Sequence, residues 1–136
     1  MFITSITRAS FDRHKVQLSK GLLTMFCSDD RPWGYWEEYL NEPGYRVKRI
    51  IIRPGKRFSL QYHHHRSEHW VIVKGRGNLT IDNACKTITV GDHVFIPVGC
   101  RHRLKNISEE DLIFIETELG LCLEDDIIRL EDDWNR

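Results

Sequence analysis

The chain has 136 residues and a mass of 16.1 kDa, which fits one domain, since domains most often have about 100–150 residues. Apolar residues make up 40% and charged residues 29%, which is typical of a soluble globular protein and excludes a disordered or membrane-embedded one. Lys and Arg number 20, as do Asp and Glu, so the zero net charge argues against general binding to nucleic acid or to a membrane surface.

The N-terminal residues lack the basic and apolar regions of a signal peptide, and no apolar stretch approaches the ~18–20 residues of a membrane span. The four Cys residues are widely spaced, without a C-x-x-C pair. We therefore expect a cytoplasmic protein with reduced thiols.

Residues 1–30 are polar and weakly periodic, and we predict that they form an N-terminal arm, with possible strands at residues 3–6 and 16–26. Residues 31–136 are predicted to form the main domain. Its short runs of β-branched and aromatic residues alternate with Gly and Pro turns, which is typical of a sandwich or small barrel. The predicted strands are residues 33–40, 45–52, 58–63, 68–73, 78–82, 86–90, 93–96, 102–106 and 112–118.

The C-terminal residues 124–134 change their apolar period. Ile127, Ile128, Leu130 and Trp134 have a spacing that fits one face of a helix, and three acidic residues precede them, where a helix dipole favours negative charge. The sequence therefore predicts a short helical tail.

Four residues in the central region could converge on a metal ion. Gln61 and His63 are two apart on a predicted strand and point to one face, Glu68 follows on the next strand, and His102 lies on a separate strand after a Pro/Gly loop. An amide oxygen, two imidazoles and a carboxylate suit a borderline divalent ion such as zinc. His64 or His65 in place of Gln61 is the alternative ligand set.

The spacing around these residues resembles the paired motifs of the cupin superfamily. Gly55, His63, Glu68 and Gly75 match the first motif, with Gln61 in place of its first His. The second motif is matched at every position, by Gly91, Pro97, Gly99, His102 and Asn106. The resemblance implies an all-β, cupin-type double-stranded β-helix, a jelly-roll barrel, here with the N-terminal arm and the helical tail.

A narrower resemblance runs from about Arg31 to Arg136. The segment from Leu60 to Trp70, which contains Gln-Tyr-His-His-His-Arg-Ser-Glu-His, and the acidic segment before Arg129 are similar to the type II mannose-6-phosphate isomerase domain, which is often fused to a mannose-1-phosphate guanylyltransferase. This resemblance implies a divalent metal held by Gln, His, Glu and His, and interconversion of mannose 6-phosphate and fructose 6-phosphate in mannose metabolism and polysaccharide biosynthesis. Because the chain has no Gly-rich phosphate loop, we do not expect guanylyl transfer.

An aldose–ketose isomerase also needs a proton-transfer group and cations for the phosphate. His65, if its strand continues with the parity of His63, and Glu116 are the candidate catalytic residues, with Glu118 as a further rival. The candidate phosphate-binding residues are Lys48, Arg57, Arg66 and Arg101, with Arg103 also next to the motifs.

Two other functions stay open at the level of sequence. One is a non-catalytic sugar-phosphate or metal-binding domain that assists a separate guanylyltransferase, and the other is a metal-dependent cupin oxygenase, which Gln61 disfavours. Because open sheet edges are commonly covered by another chain, we also predict a homodimer.

Overall fold

The computed structural model describes residues 27–136, and every regular element in this range is a β-strand. The strands are β1 Cys27–Arg31, β2 Gly34–Glu42, β3 Tyr45–Ile52, β4 Leu60–Tyr62, β5 Arg66–Lys74, β6 Arg76–Ile81, β7 Ala84–Thr89, β8 His93–Ile96, β9 His102–Asn106, β10 Leu112–Gly120 and β11 Ile128–Glu131. The all-β prediction is confirmed.

The strands form two antiparallel sheets. One has six strands in the order β1-β2-β3-β10-β5-β8, and the other has five in the order β11-β4-β9-β6-β7. From β3 onward, every pair of consecutive strands except β6 and β7 belongs to different sheets, so the chain passes repeatedly from one sheet to the other. This is the topology expected of a jelly-roll barrel.

Strand alternation decides which side chains enter the barrel. On β5, Glu68, Trp70 and Ile72 are buried, whereas His69 and Val71 between them are exposed. The inward residues of both sheets meet in one apolar cluster, in which Trp70 of the first sheet and Leu79 and Leu104 of the second belong to the buried core. Burial of such side chains stabilises the fold by roughly 1.5–3 kcal/mol each.

The register of the large sheet divides its inner face into a polar end and an apolar end. Glu118 of β10 lies between Arg46 of β3 and Glu68 of β5. Four residues earlier on β10, Phe114 lies between Ile50 of β3 and Ile72 of β5. Apolar side chains therefore fill the interior of the barrel at one end, and paired charged side chains lie at the other.

The predicted C-terminal helix is wrong. Within residues 124–134 the chain forms turns and the strand β11, in which Ile128 pairs with Tyr62 and Arg129 with Gln61. The apolar residues of the C-terminal segment fit the period of a strand as well as that of a helix. The open edge of β4 supplies backbone hydrogen-bond partners that only a strand can use.

The main domain begins earlier in the chain than the sequence indicated. Residues 27–30, predicted as the end of the arm, belong to β1, which pairs with β2 at the edge of the six-stranded sheet. The two possible strands at 3–6 and 16–26 lie outside the described residues. In the part of the chain that the structure describes, no helix is long and apolar enough to cross a membrane.

Two turn glycines with similar backbone conformations provide a test of packing. Gly75 and Gly91 have φ values of +81° and +90°, so alanine is strained at both, at about 1–2 kcal/mol. A Cβ on Gly75 would also lie 2.9 Å from the Asp111 carbonyl oxygen and 2.9 Å from Leu112 Cα, whereas a Cβ on Gly91 meets nothing within 4 Å.

We therefore expect Gly75→Ala to lower the free energy of unfolding by about 1–3 kcal/mol more than Gly91→Ala, because overpacking adds to a shared backbone strain. Urea unfolding of the two variants measures this difference directly. Equal losses would show that the turn between β5 and β6 can move away from the added methyl group.

Candidate metal centre and adjoining cavity

Three buried side chains meet at the polar end of the barrel. His63 directly follows β4, Glu68 lies on β5 and His102 begins β9, and their ligand atoms all lie within 4.8 Å of one another. The Nε2 atom of His63 is 2.9 Å from Glu68 Oε1, and the Nε2 atom of His102 is 3.8 Å from Glu68 Oε2. The structure therefore brings together three of the four predicted ligands.

Hydrogen bonds orient both imidazoles with Nε2 toward the carboxylate. His63 Nδ1 is 2.7 Å from the backbone oxygen of Asp126, and His102 Nδ1 is 2.9 Å from that of Cys100. Because a carbonyl oxygen only accepts, each Nδ1 donates its hydrogen, and in the neutral ring Nε2 then presents a lone pair. This is the arrangement that metal-binding His residues commonly have.

The donor set fits a divalent cation. The Nε2 atom of His102 is fully buried and has no hydrogen-bond partner within residues 27–136, and burial lowers the pKa of this ring, which favours its neutral form. His63 Nε2 and Glu68 Oε1 lie 2.9 Å apart, close enough for both atoms to bind one cation. Two imidazole nitrogens and one carboxylate are a common zinc ligand set.

Gln61, the fourth predicted ligand, lies next to this group. It pairs with His102 in the ladder between β4 and β9 and lines the same cavity. Its Oε1 accepts a hydrogen bond of 2.7 Å from Ser59 Oγ, which leaves the second lone pair of this oxygen for another ligand.

The other two consecutive His residues are placed elsewhere. Strand β4 ends at Tyr62, so the condition on which His65 depended, a strand continuing with the parity of His63, is not met. His64 and His65 are exposed in the turn before β5, and neither lines the cavity. The alternative ligand set is not brought together, and His65 does not face the site.

Glu68 is held in its ionised form by several donors. Trp70 Nε1 donates to its Oε2 at 3.0 Å and Arg66 Nε to its Oε1 at 3.1 Å. Burial alone would raise the pKa of Glu68, but its hydrogen bond with His63 and its electrostatic interactions with His102 and His63 lower it well below its ordinary value.

Two further carboxyl groups on β10 line up behind Glu68. Glu118 receives two hydrogen bonds from Arg46, one of them from Nη2 at 3.0 Å, and Arg66 Nε lies 3.3 Å away. Glu116 accepts from Trp70 Nε1 at 3.2 Å. Burial, followed by the charges of Glu68 and Glu118, raises the pKa of Glu116 well above its ordinary value. Glu116 is therefore favoured as a neutral carboxyl beside the ionised Glu68 and the arginine-paired Glu118.

A cavity opens from this group to the surface, with an empty volume of about 500 Å³ that includes the part exposed to solvent. Lys48 and Arg66, two of the predicted phosphate-binding residues, line it, as does the predicted catalytic residue Glu116. The charged residues of its wall are Arg31, Lys48, Arg66, Glu68, Glu116, Glu124, Arg129 and Arg136.

The other predicted phosphate-binding residues lie away from this cavity. Arg57 is exposed and forms an ion pair with Asp133 at 2.7 Å, and Arg101 is exposed near Asp82. Arg103 is buried against the backbone oxygens of Phe58 and Glu131. Their closeness to the motifs in sequence did not indicate the direction of their side chains.

The sequence analysis missed three arginines at the cavity, Arg31, Arg129 and Arg136. Arg129 Nε is buried and has no hydrogen-bond partner among the described residues, and burial together with the charge of Arg136 lowers the pKa of this guanidinium. A strand interpretation of the tail could have found it, because Ile127 and Arg129 then share the face that points into the barrel.

Residues 19–132 match the family described as "Mannose-6-phosphate isomerase C-terminal". The chain belongs to this family. A mannose-1-phosphate guanylyltransferase of Klebsiella pneumoniae is 42% identical over 107 residues, which cover 78% of this chain and 23% of that protein. One from Escherichia coli K12 is 41% identical over 137 residues, which cover 92% of this chain and 29% of the relative. The chain therefore spans about a quarter of the length of these curated relatives.

Solved structures support the fold of this family domain. A protein of Klebsiella pneumoniae described as having a double-stranded β-helix domain superposes with a TM-score of 0.58 at 19% identity, covering 62% of this chain and 74% of that one. This agrees with the jelly-roll topology and with the cupin resemblance of the two motifs.

The different states of Glu116 and Glu118 predict opposite effects of the same substitution in this family domain. A raised pKa means that the folded state holds a proton that the unfolded chain has already lost, so this contribution to stability is complete below the unfolded value near pH 4.5. It is lost as the pH rises toward the folded value. Glu116→Gln removes the ionisable group, so the variant does not lose this stability as the pH rises.

We expect Glu116→Gln, measured by urea unfolding of metal-free protein, to become more stable relative to wild type as the pH rises from 4.5 to 8, by up to about 1.4 kcal/mol per pH unit. Glu118→Gln, the control on the same face, should lower the unfolding free energy by about 1.5–3 kcal/mol at neutral pH, because it removes the carboxylate that receives two hydrogen bonds from Arg46 and leaves this arginine only Glu124 at 3.3 Å and Glu38 at 3.6 Å. Similar losses in both variants would show that Glu116 is ionised in the folded protein.

Proposed function

We propose that this domain is a metal-dependent isomerase that interconverts mannose 6-phosphate and fructose 6-phosphate. The observation that carries the proposal is the convergence of His63, Glu68 and His102, of which Glu68 and His102 line a cavity whose wall carries several cations. Gln61 completes the ligand set, and zinc is the ion that these nitrogen and oxygen donors suit best. When bound, a divalent ion polarises the carbonyl or hydroxyl oxygen of the sugar.

Proton transfer is assigned to Glu116. In the direction from aldose to ketose, C2 and O2 each lose a proton, and C1 and O1 each gain one. A carboxyl group whose pKa is raised is a stronger base than an ordinary carboxylate, so its ionised form can take the C2 proton and its neutral form can return it to C1. The indole of Trp70 orients the carboxyl group through its hydrogen bond.

The phosphate group is assigned to the arginines of the cavity wall. Arg129 has an unpartnered Nε, whereas Arg31 is already paired with Asp29 at 2.5 Å and Arg136 with Asp132 at 2.9 Å. An anion bound by Arg129 would satisfy this donor and relieve the repulsion from the neighbouring guanidinium of Arg136. Lys48 adds a buried positive charge on the opposite sheet, although Glu124 neutralises it at 2.6 Å.

A second candidate function has a specific observation in its favour. The relatives that the chain matches are described as guanylyltransferases, and the chain spans about a quarter of their length. A domain that binds the sugar phosphate and the metal without turnover, and assists a separate guanylyltransferase, would use the same cavity. The two proposals differ in turnover alone.

The decisive experiment is a coupled assay for fructose 6-phosphate formed from mannose 6-phosphate, with metal analysis of the same preparation. We expect turnover that chelation abolishes and zinc restores. His102→Ala should lower kcat/KM by more than roughly 100-fold, the upper range for residues that only support a ligand. The control is His69→Ala, an exposed His that stacks on Phe95 on the outside of the barrel, and it should retain activity.

Well-metallated wild-type protein without turnover would contradict the isomerase proposal. Binding of mannose 6-phosphate in that case would favour the assisting domain, and metal-dependent consumption of oxygen would favour an oxygenase.

Arg129→Ala tests the phosphate assignment. Because a hydrogen bond to a charged group contributes about 1.5–3 kcal/mol, we expect the KM for mannose 6-phosphate to rise about 10–100-fold, with a smaller change in kcat. Arg57→Ala removes an exposed arginine outside the cavity and serves as the control. A KM within twofold of wild type in the Arg129 variant would exclude this arginine as a phosphate ligand.

A further inference from the structure

Asp126 contacts all three residues of the His63–His65 segment. Its backbone oxygen accepts the hydrogen of His63 Nδ1 at 2.7 Å, and its two carboxylate oxygens accept the backbone N–H groups of His64 and His65, each at 2.9 Å. Asp126 is 7% exposed, so these bonds are shielded from water. One residue of the C-terminal segment thus receives three hydrogen bonds from the turn that carries a candidate metal ligand.

The position of Asp126 explains why the turn needs such a partner. The ladder between β4 and β11 ends with the pair Tyr62 and Ile128, so His63 is the first residue beyond the paired part of its strand. Without sheet hydrogen bonds, the N–H groups of His64 and His65 would be left to solvent. The carboxylate of Asp126 continues the connection between the two segments where the ladder stops.

The two candidate His ligands differ in how they are oriented. His102 Nδ1 bonds to the carbonyl of Cys100, two residues away in the same loop. His63 Nδ1 bonds to a residue 63 positions away, so its orientation depends on the C-terminal segment being in place. The backbone of His63 is held separately, since its carbonyl accepts from Gly99 N–H at 2.9 Å. Arg66 and Glu68 contact the Nε2 side of the ring, and Asp126 holds its Nδ1 side.

We propose that Asp126 is a positioning residue for metal binding, which holds the imidazole of His63 so that Nε2 points at the metal site. This inference rests on the metal site of the proposed function. Partners of a ligating imidazole commonly contribute 10–100-fold to metal affinity, because they fix the tautomer and the direction of the ring. The carboxylate of Asp126 fixes the segment, and its carbonyl fixes the ring.

The test compares Asp126→Ala and Asp126→Asn with wild type, and uses Asp125→Ala as the matched control, because Asp125 is the exposed neighbour. Alanine removes both side-chain acceptors, whereas asparagine retains one. The dissociation constant of zinc is measured by competition with a chelating dye. The absorption spectrum of the cobalt-substituted protein reports the ligand geometry, and the melting temperature of the metal-free protein reports folding.

We expect Asp126→Ala to bind zinc about 10–100-fold more weakly than wild type and to show an altered cobalt spectrum. Asp126→Asn should be intermediate, and Asp125→Ala should be within twofold of wild type. Should the alanine variant not fold, the asparagine variant decides alone, with an affinity at least about threefold weaker than wild type as the expected result.

An Asp126 variant that lowers only the melting temperature of the metal-free protein, with unchanged zinc affinity and cobalt spectrum, would overturn the proposal and leave Asp126 a purely structural residue. Absence of zinc and cobalt binding by wild-type protein would overturn the metal site itself, and the positioning role with it. The two failures are therefore distinguished by the wild-type measurement.

Discussion

The buried carboxylate of Glu68 is the constraint around which the polar end of the barrel is organised. An ionised group with 2% exposure is stable only if its oxygens receive hydrogen bonds, and here an indole, a guanidinium and the imidazole of His63 lie within hydrogen-bonding distance of them. Each donor comes from the interior of the jelly roll. The site is therefore preorganised by the same packing that forms the core.

Charge pairing extends from Glu68 through the rest of this end. Glu118 is matched by Arg46 and Arg66, and Lys48 by Glu124, so most of the buried charges are compensated in pairs. Glu116 lacks a comparable cation and is favoured in its neutral form. Although the chain has no net charge, protonation differs locally: Glu116, which lines the cavity, is favoured as a neutral acid among charged neighbours. Such a difference is what acid–base chemistry requires.

The C-terminal segment contacts both the cavity and the candidate metal centre. Glu124 and Arg129 face the cavity, while Asp126 between them holds the turn that carries His63. Because β11 is added at the edge of the smaller sheet, this segment closes one side of the barrel. One short stretch of chain therefore carries both a cation of the cavity wall, Arg129, and the hydrogen-bond partner of His63, Asp126.

Local pattern in the sequence determined the all-β class, most strand positions and the candidate ligands His63, Glu68 and His102, since period-two alternation and Gly/Pro turns act over a few residues. The tertiary structure alone decided the tail and the positions of the cations. The apolar residues near Ile128 fit a helix as well as a strand, and the open edge of β4 made the choice. The sequence does not distinguish Arg57 from Arg129. In the structure Arg57, between β3 and β4, pairs with Asp133 outside the cavity, whereas Arg129 of β11 lines it, because the direction of a long side chain depends on contacts between segments far apart in the chain.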